Sequence, residues 1–352
     1  MRENINTNKK YKILITGGSG FLGRAILQEL IIEASLIPVE EIRVLDINAI
    51  EGIDDDRITF IRGDVRDYQV VAKATEGVDV VIHSAAIIDW GTHSAKFVYD
   101  VNFGGTQNVV LACKEFNVGV LIYTSSLDAV YTGKPLVNID ETIGYPERYT
   151  TMYCESKVLS EILVKKENSD TFKTCILRPS DVYGEGDPYH VSSLITMAKT
   201  GFYVRLGNGK SKCQHVYVGN MAHAHLLAAK AILEGNKQIM GEAYFITDGP
   251  GHNFFTFFDQ IVEMAGYKIW PENFWLPKWL AYSLGSISEF IAYLWRPIKR
   301  YNPKFSRFAV EYTCTDFTFN SEKAEKDFRY YPKYSKKDAM SRTAQYFRKG
   351  MY

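Results

Sequence analysis

One stretch constrains this chain more than any other. Ile13-Leu14-Ile15-Thr16-Gly17-Gly18-Ser19-Gly20-Phe21-Leu22-Gly23 places an apolar run, a glycine turn and a helix-period segment in immediate succession. A buried strand that breaks on glycine and restarts as the amphipathic stretch Phe21–Glu33 is the first half of a βαβ unit. Gly17 suits the sharp turn, and Gly20 lets backbone N–H groups approach a diphosphate at the helix N-terminus. Gly23 lets the helix pack close to the strand. Gly17, Gly18, Ser19, Gly20, Phe21, Leu22 and Gly23 are therefore the expected phosphate-binding segment of a dinucleotide site. The bland alternative is a tight turn without a ligand.

The rhythm continues downstream. Apolar, β-rich runs at Tyr11–Thr16, Ile42–Asp46, Ile58–Arg62, Val78–His83, Val120–Thr124 and Thr174–Leu177 alternate with helix-period stretches such as Thr151–Lys166. Strands separated by helices call for an α/β fold with a doubly wound parallel sheet of the Rossmann type. Residues 1–10 are polar and read as a loose tail, and 11–180 as the dinucleotide-binding domain. After Arg178-Pro179 the alternation becomes irregular, so 181–352 reads mainly as a smaller C-terminal substrate lobe. A strand near His215–Val218 and a helix over Asn220–Leu233 are expected to bring 215–235 back to the sheet.

The second strand ends in Asp46, where a carboxylate can accept both hydroxyls of an adenosine ribose and repel a 2′-phosphate, so NAD is expected over NADP. Asp64-Val65, after the third strand, sits where an adenine edge would pass. Farther on, Tyr153-Cys-Glu-Ser-Lys157 puts a phenol and an ammonium one helical turn apart. Lowering a tyrosine pKa from about 10 by ~3 units takes roughly 4 kcal/mol of preferential phenolate stabilisation. The Lys157 ammonium and an oxidised nicotinamide can supply it. The strand Val120–Thr124 delivers Ser125 and Ser126 to the carboxyl edge of the sheet, where a hydroxyl could hold the reacting oxygen.

Together these residues resemble the extended short-chain dehydrogenase/reductases, and within them the 3β-hydroxysteroid dehydrogenase family. The resemblance runs through Thr16-Gly17-Gly18, His83-Ser84-Ala85-Ala86, Asn102–Asn108, Tyr123–Ser126, Tyr153–Lys157 and Arg178–Gly184. It continues through Gly207-Asn208-Gly209, His215–Asn220, Tyr244–Asp248 and Arg296-Pro297-Ile298. It implies Tyr153 as catalytic acid/base, Lys157 as its partner and Ser126 as the hydroxyl on the substrate oxygen. It also implies that Ala85, Pro179 and Ser180 border the cofactor. Members that also isomerise a Δ5 double bond carry acidic residues in the segment matching Ile246–Pro250. Here only Asp248 is acidic, which puts a second, isomerase activity in doubt.

Composition narrows the partners. Lys plus Arg and Asp plus Glu are 41 each, so no net field steers the chain onto nucleic acid. Five scattered cysteines without a C-x-x-C pair fit a reducing compartment and no metal site. His223 and His225 lie two apart on a predicted helix and point to different sides, so no zinc is expected. Four of the five tryptophans gather in 270–295, where Leu280, Leu284, Ile287, Ile291 and Leu294 repeat at helical spacing ahead of a basic group, Arg296–Arg307. Residues 274–307 read either as a peripheral membrane contact or as a substrate-lobe helix packed on its own core, with a homodimer contact as a third reading. No secretory signal or spanning run is visible, so a cytoplasmic protein, peripheral on a membrane, is expected.

The expected function is NAD-dependent oxidation of a 3β-hydroxyl on an apolar steroid or sterol. Oxidation of a sterol 4α-carboxylate with loss of CO2 uses the same steps. A nucleotide-sugar epimerase or reductase, whose diphosphate would want basic residues, and a dinucleotide-binding sensor without chemistry are the remaining alternatives.

Overall fold

Seven strands form one sheet in a computed structural model that describes residues 9–89, 93–295 and 306–348. They are β1 (Tyr11–Thr16), β2 (Val39–Asp46), β3 (Ile58–Arg62), β4 (Val80–His83), β5 (Val120–Thr124), β6 (Lys173–Pro179) and β7 (Ala243–Ile246). Their spatial order is β3-β2-β1-β4-β5-β6-β7 and every neighbouring pair is parallel. The expected doubly wound sheet is therefore present. Its order reverses between β1 and β4, and a crevice at such a reversal, outside the carboxyl ends, is where open α/β sheets bind ligands.

Strand periodicity explains why the central strands, covered on both faces, lack polar alternation. Ile13 and Ile15 of β1 face helices α1 (Phe21–Ile32) and, far along the chain, Val218–Leu233. Leu14 faces the other way, onto the layer that includes Tyr68–Thr75 and Gly105–Glu115. Burying each such side chain contributes about 1.5–3 kcal/mol, so both faces are held. The helix Met152–Lys166, called α2 below, starts at an N-cap whose hydroxyl, Thr151 Oγ1, accepts from the Cys154 amide at 3.0 Å.

Two details differ from the sequence expectation. His215–Tyr217 does not return to the main sheet; it pairs in parallel with Asp181–Tyr183 as a separate two-stranded sheet. The four buried residues of β7 take the edge beside β6 instead. β6 ends at Pro179, and the Ser180 amide makes one more bond, to the Ile246 carbonyl at 3.0 Å, before the chain leaves the sheet. The helix Val218–Leu233 does return, covering the α1 face.

The aromatic segment also differs from the core-packing expectation. The helix Lys278–Trp295 buries only Ala281, Gly285 and Ala292. Its large apolar residues point outward: Trp279 is 71% exposed and Phe290 61%. The expected stripe of Leu284, Ile287, Ile291 and Leu294 is exposed as well. Small residues form the packing face because the neighbouring backbone is close; a Cβ on Gly285 would lie 2.9 Å from the Arg307 amide nitrogen. Residues 296–305, most of the basic group, and residues 1–8 of the tail lie outside the described residues.

The close helix–strand packing sets a prediction. A Cβ at Gly23 would stand 2.0 Å from the Gly17 carbonyl oxygen, whereas Gly52, at φ +70°, has nothing within 4 Å. Gly23→Ala is expected to cost about 3 kcal/mol or more through overpacking. Gly52→Ala should cost roughly 1 kcal/mol of left-handed strain. Urea unfolding of both variants measures the difference, and equal losses would refute the packing argument.

Candidate active site

Along the carboxyl ends of β1, β2, β4, β5 and β6 runs a cavity of about 540 Å³. At one end lie Gly17, Gly20, Phe21, Leu22 and Gly23. Gly17 turns at φ +73°, and any Cβ there would meet the Ala85 backbone at 2.7 Å. Gly20 caps α1 without a side-chain hydrogen bond, and the first turn holds no acidic residue. The helix N-terminus thus faces the cavity with no anion of its own, which suits a diphosphate.

Gly18 and Ser19 are absent from the cavity lining. Gly18 packs against Val44, and Ser19 serves the adjacent carboxylate: its amide donates to Asp46 Oδ2 at 3.0 Å. Asp46 also accepts from the Asn48 amide at 2.9 Å, and it lines the cavity at the end of β2. A carboxylate has about four lone-pair sites, so capacity remains for ribose hydroxyls. Asp64 and Val65 line the same end. Asp64 is held by Arg66 at 2.6 Å, and that guanidinium draws its carboxyl below the usual value. Ala85, Pro179 and Ser180 form part of the wall. These features fit a dinucleotide.

The other end brings Ser126, Tyr153 and Lys157 into the same cavity. Lys157 Nζ donates to the Thr124 carbonyl at 2.9 Å and stands 5.8 Å from the Tyr153 ring centroid. Burial lowers its pKa to about 8. The Tyr153 phenol is pushed well above its ordinary value, first by burial and then by the Asp128 carboxylate, with a hydrogen bond to Ser126 pulling the other way. Ser126 Oγ donates to Asp128 Oδ2 at 2.9 Å and accepts from the Asp128 amide at 3.1 Å. Burial pushes Asp128 up to about 6.

Sequence reading missed several lining residues at this end: Asp128, Asp181, Tyr189, His190 and Tyr312. Asp128 follows the serine pair by two positions, which in sequence reads as an ordinary turn cap. The hydroxyl of Tyr312 donates to Asp181 across 131 positions of chain, and no local pattern announces that meeting.

Behind the site, Glu161 continues the face of Tyr153 and Lys157 by one more turn of α2. It is wholly buried, as is its partner Arg178 on β6, whose Nη2 and Nε reach it at 2.6 and 2.9 Å. Ser125 and Tyr145 donate to the same carboxylate at 2.5 and 2.9 Å. Burial alone would raise Glu161, and the Arg178 charge overrides it, holding the carboxyl below its ordinary value. The cluster ties α2, β5 and β6 together immediately behind Lys157 and Ser126.

Other residues singled out in the sequence are occupied elsewhere. Asp248 accepts from the Tyr217 amide, Asn220 Nδ2 and Tyr330 hydroxyl at 2.8, 2.7 and 3.0 Å, and it is not part of the cavity lining. His83 bridges Thr16 and Thr106 at 2.6 and 3.0 Å, and burial depresses its pKa to about 3. His225 bonds the Met221 carbonyl and Thr124, while His223 turns toward Glu29. Among the described residues no His, Cys, Asp or Glu cluster could hold a metal ion.

A parallel sheet with a glycine turn after its first strand and a Tyr153/Lys157 pair beside its fifth defines an extended short-chain dehydrogenase/reductase. The fold is shared with a dTDP-glucose 4,6-dehydratase from Streptomyces venezuelae solved with NAD and TYD bound, at TM-score 0.74 and 21% identity, covering 96% of each chain. A UDP-glucose 4-epimerase from Thermotoga maritima, solved with UDP-glucose, gives TM-score 0.73 at 20% identity, covering 96% of this chain and 98% of that one. The chain belongs to the 3-beta hydroxysteroid dehydrogenase/isomerase family, whose sequence profile matches residues 14–276. It is 31% identical over 343 residues to the decarboxylating sterol-4-alpha-carboxylate 3-dehydrogenase of Mus musculus, covering 97% of this chain and 92% of that protein. The protein of the same name from Homo sapiens is 31% identical over 349 residues, covering 98% of this chain and 91% of its own.

The buried pair behind the site is directly testable. Glu161→Leu leaves the Arg178 charge uncompensated and is expected to cost about 3–5 kcal/mol of folding stability. Glu161→Leu/Arg178→Met should recover most of that loss. Denaturant titration checks both, and a double variant no more stable than the single one would contradict a charge-based cost.

Proposed function

We propose that this protein oxidises the 3β-hydroxyl of a steroid or sterol to the 3-ketone, using NAD. The observation that carries the reading is one continuous cavity with Gly17, Gly20–Gly23 and Asp46 at one end and Ser126, Tyr153 and Lys157 at the other. Membership of the family and the names of the two relatives support the substrate class. Asp46 at the ribose position supports NAD over NADP.

Gly17, Gly20–Gly23 and Asp46 would hold the dinucleotide, with Asp64, Val65, Ala85, Pro179 and Ser180 as wall. Bound NAD supplies the hydride acceptor and a positive charge within the cavity. Ser126 Oγ holds the carbinol oxygen, and Tyr153 accepts the hydroxyl proton as the C3–H bond breaks. Lys157, cationic at neutral pH with a pKa of about 8, favours the phenolate of Tyr153. Asp248, spent on three hydrogen bonds outside the cavity, gives no support to a second, isomerising activity.

The nucleotide-sugar reading has weaker support. Its diphosphate would need cations, and among the described residues the reacting end is lined by Asp128, Asp181, Tyr189, His190 and Tyr312, with His190 turned to Asp181. A sensor without chemistry would have no use for Tyr153 beside Lys157.

The outward apolar face of Lys278–Trp295 supports a peripheral membrane contact from the cytosolic side. Aromatic and aliphatic side chains on one exposed face suit the headgroup boundary. Among the described residues no helix is long and apolar enough to cross a membrane. A second copy of the chain is the competing occupant of this face.

Two experiments test the proposal. Tyr153→Phe is expected to keep NAD binding by calorimetry while turnover on 3β-hydroxysteroids falls by about 10²- to 10⁴-fold. An active Tyr153→Phe enzyme would remove the acid/base assignment. For the surface, wild-type protein should float with anionic vesicles and Trp279→Ser/Phe290→Ser should stay behind. Equal recovery of both with vesicles would end the membrane reading, and loss of a dimer in the variant would assign the face to a second copy.

A further inference from the structure

The reacting end of the cavity is acidic, and oxidation of an alcohol does not itself require this. Asp128 and Asp181 both line it. Asp128 Oδ2 accepts a hydrogen bond from Ser126 Oγ at 2.9 Å, so its carboxylate lies one hydrogen bond from the hydroxyl proposed to hold the substrate oxygen. Asp181 accepts from Tyr312, and its carboxylate faces His190 Nε2 and His215 Nε2, each at 3.9 Å. Burial pushes Asp128 up to about 6, while the Ser126 hydrogen bond and the Lys157 charge favour its carboxylate form.

Among the described residues, cations lining the cavity are few. Of the lysines and arginines lining the cavity, Lys157 donates to the Thr124 carbonyl and Arg66 grips Asp64 at the far end. His190 already faces Asp181.

We infer that the substrate of this enzyme carries no anionic group on the carbon next to its reacting carbinol, and that Asp128 is the residue that excludes one. The inference rests on the sterol-oxidising reading and narrows it to sterols neutral at C4. A 4α-carboxylate hangs from the ring carbon adjacent to C3, so with the carbinol oxygen on Ser126, as proposed, its charge would lie near that of Asp128. Two like unit charges about 6 Å apart, at an effective dielectric of about 20, repel enough to weaken binding about 100-fold. Repulsion of this kind is how sites reject a near-identical ligand that attractive contacts alone would accept. The relatives from Mus musculus and Homo sapiens are named for the carboxylated substrate, so the inference separates this chain from them.

The test compares a 3β-hydroxysterol with its 4α-carboxy counterpart, both dispersed in cyclodextrin. Binding to the NAD-loaded protein is read by tryptophan fluorescence and, separately, kcat/KM by NADH formation. Binding and kcat/KM are each expected to favour the neutral sterol by about tenfold to 100-fold. Asp128→Asn keeps the shape and removes the charge, and should shrink that ratio at least severalfold by improving the carboxylated ligand. Equal or tighter binding of the carboxysterol, failure to bind the neutral sterol, or an unchanged ratio in a folded Asp128→Asn protein overturns the inference. Should that variant not fold, the wild-type binding ratio decides alone. Absent turnover on both sterols rejects the oxidation reading, while the binding ratio still judges the charge exclusion.

Discussion

Parallel strand pairing is the constraint on which everything else in this chain depends. Seven strands running the same way put seven carboxyl ends on a single edge, and the reversal of order between β1 and β4 opens a crevice in that edge. Gly17, Asp46, Ala85, Ser126 and Ser180 each stand within three residues of a strand's last residue. They come from positions spread over nearly half the chain and still share one cavity. Burial of both sheet faces fixes the register that keeps them level, since a one-residue slip would turn Leu14 and Ile15 to the wrong layers.

The electrostatics of the reacting end follow from what is buried behind it. Glu161 and Arg178 neutralise one another, so the interior beneath α2 carries no net charge from that pair. Lys157 loses hydration without gaining a carboxylate at contact distance, and burial accordingly lowers its pKa, though not enough to remove its charge at neutral pH. Tyr153 moves in the opposite direction, raised by burial and by Asp128. The side chains alone therefore keep the proton on Tyr153. Under the proposed mechanism, turning that phenol into a base takes positive charge beyond that of Lys157, which bound NAD would add.

How much of this could be read from the sequence depended on how local the cause was. The glycine turn was legible because φ +73° at Gly17 and a 2.0 Å approach at Gly23 exclude other residues, leaving a pattern in the letters. Tyr153 and Lys157 were legible because helical spacing is fixed. The role of Ser19, holding Asp46 by its amide, was hidden because backbone donors have no letter of their own. Asp181, His190 and Tyr312 were hidden because their approach is decided by packing between distant segments. β7 was missed for a related reason: four apolar residues show no period, and only the open edge beside β6 makes them a strand.

The outward helix was half legible. Its period was plain, but period alone gives two faces and does not say which one is covered. The choice went to Ala281, Gly285 and Ala292 because the segment beginning at Ser306 runs against Gly285 too closely for any larger side chain. That segment is the start of the short helix Arg307–Thr313, which also carries Tyr312 to the Asp181 carboxylate. Arg307–Thr313 therefore connects the two regions: its start packs on the small-residue face of Lys278–Trp295, and its Tyr312 reaches the wall of the cavity.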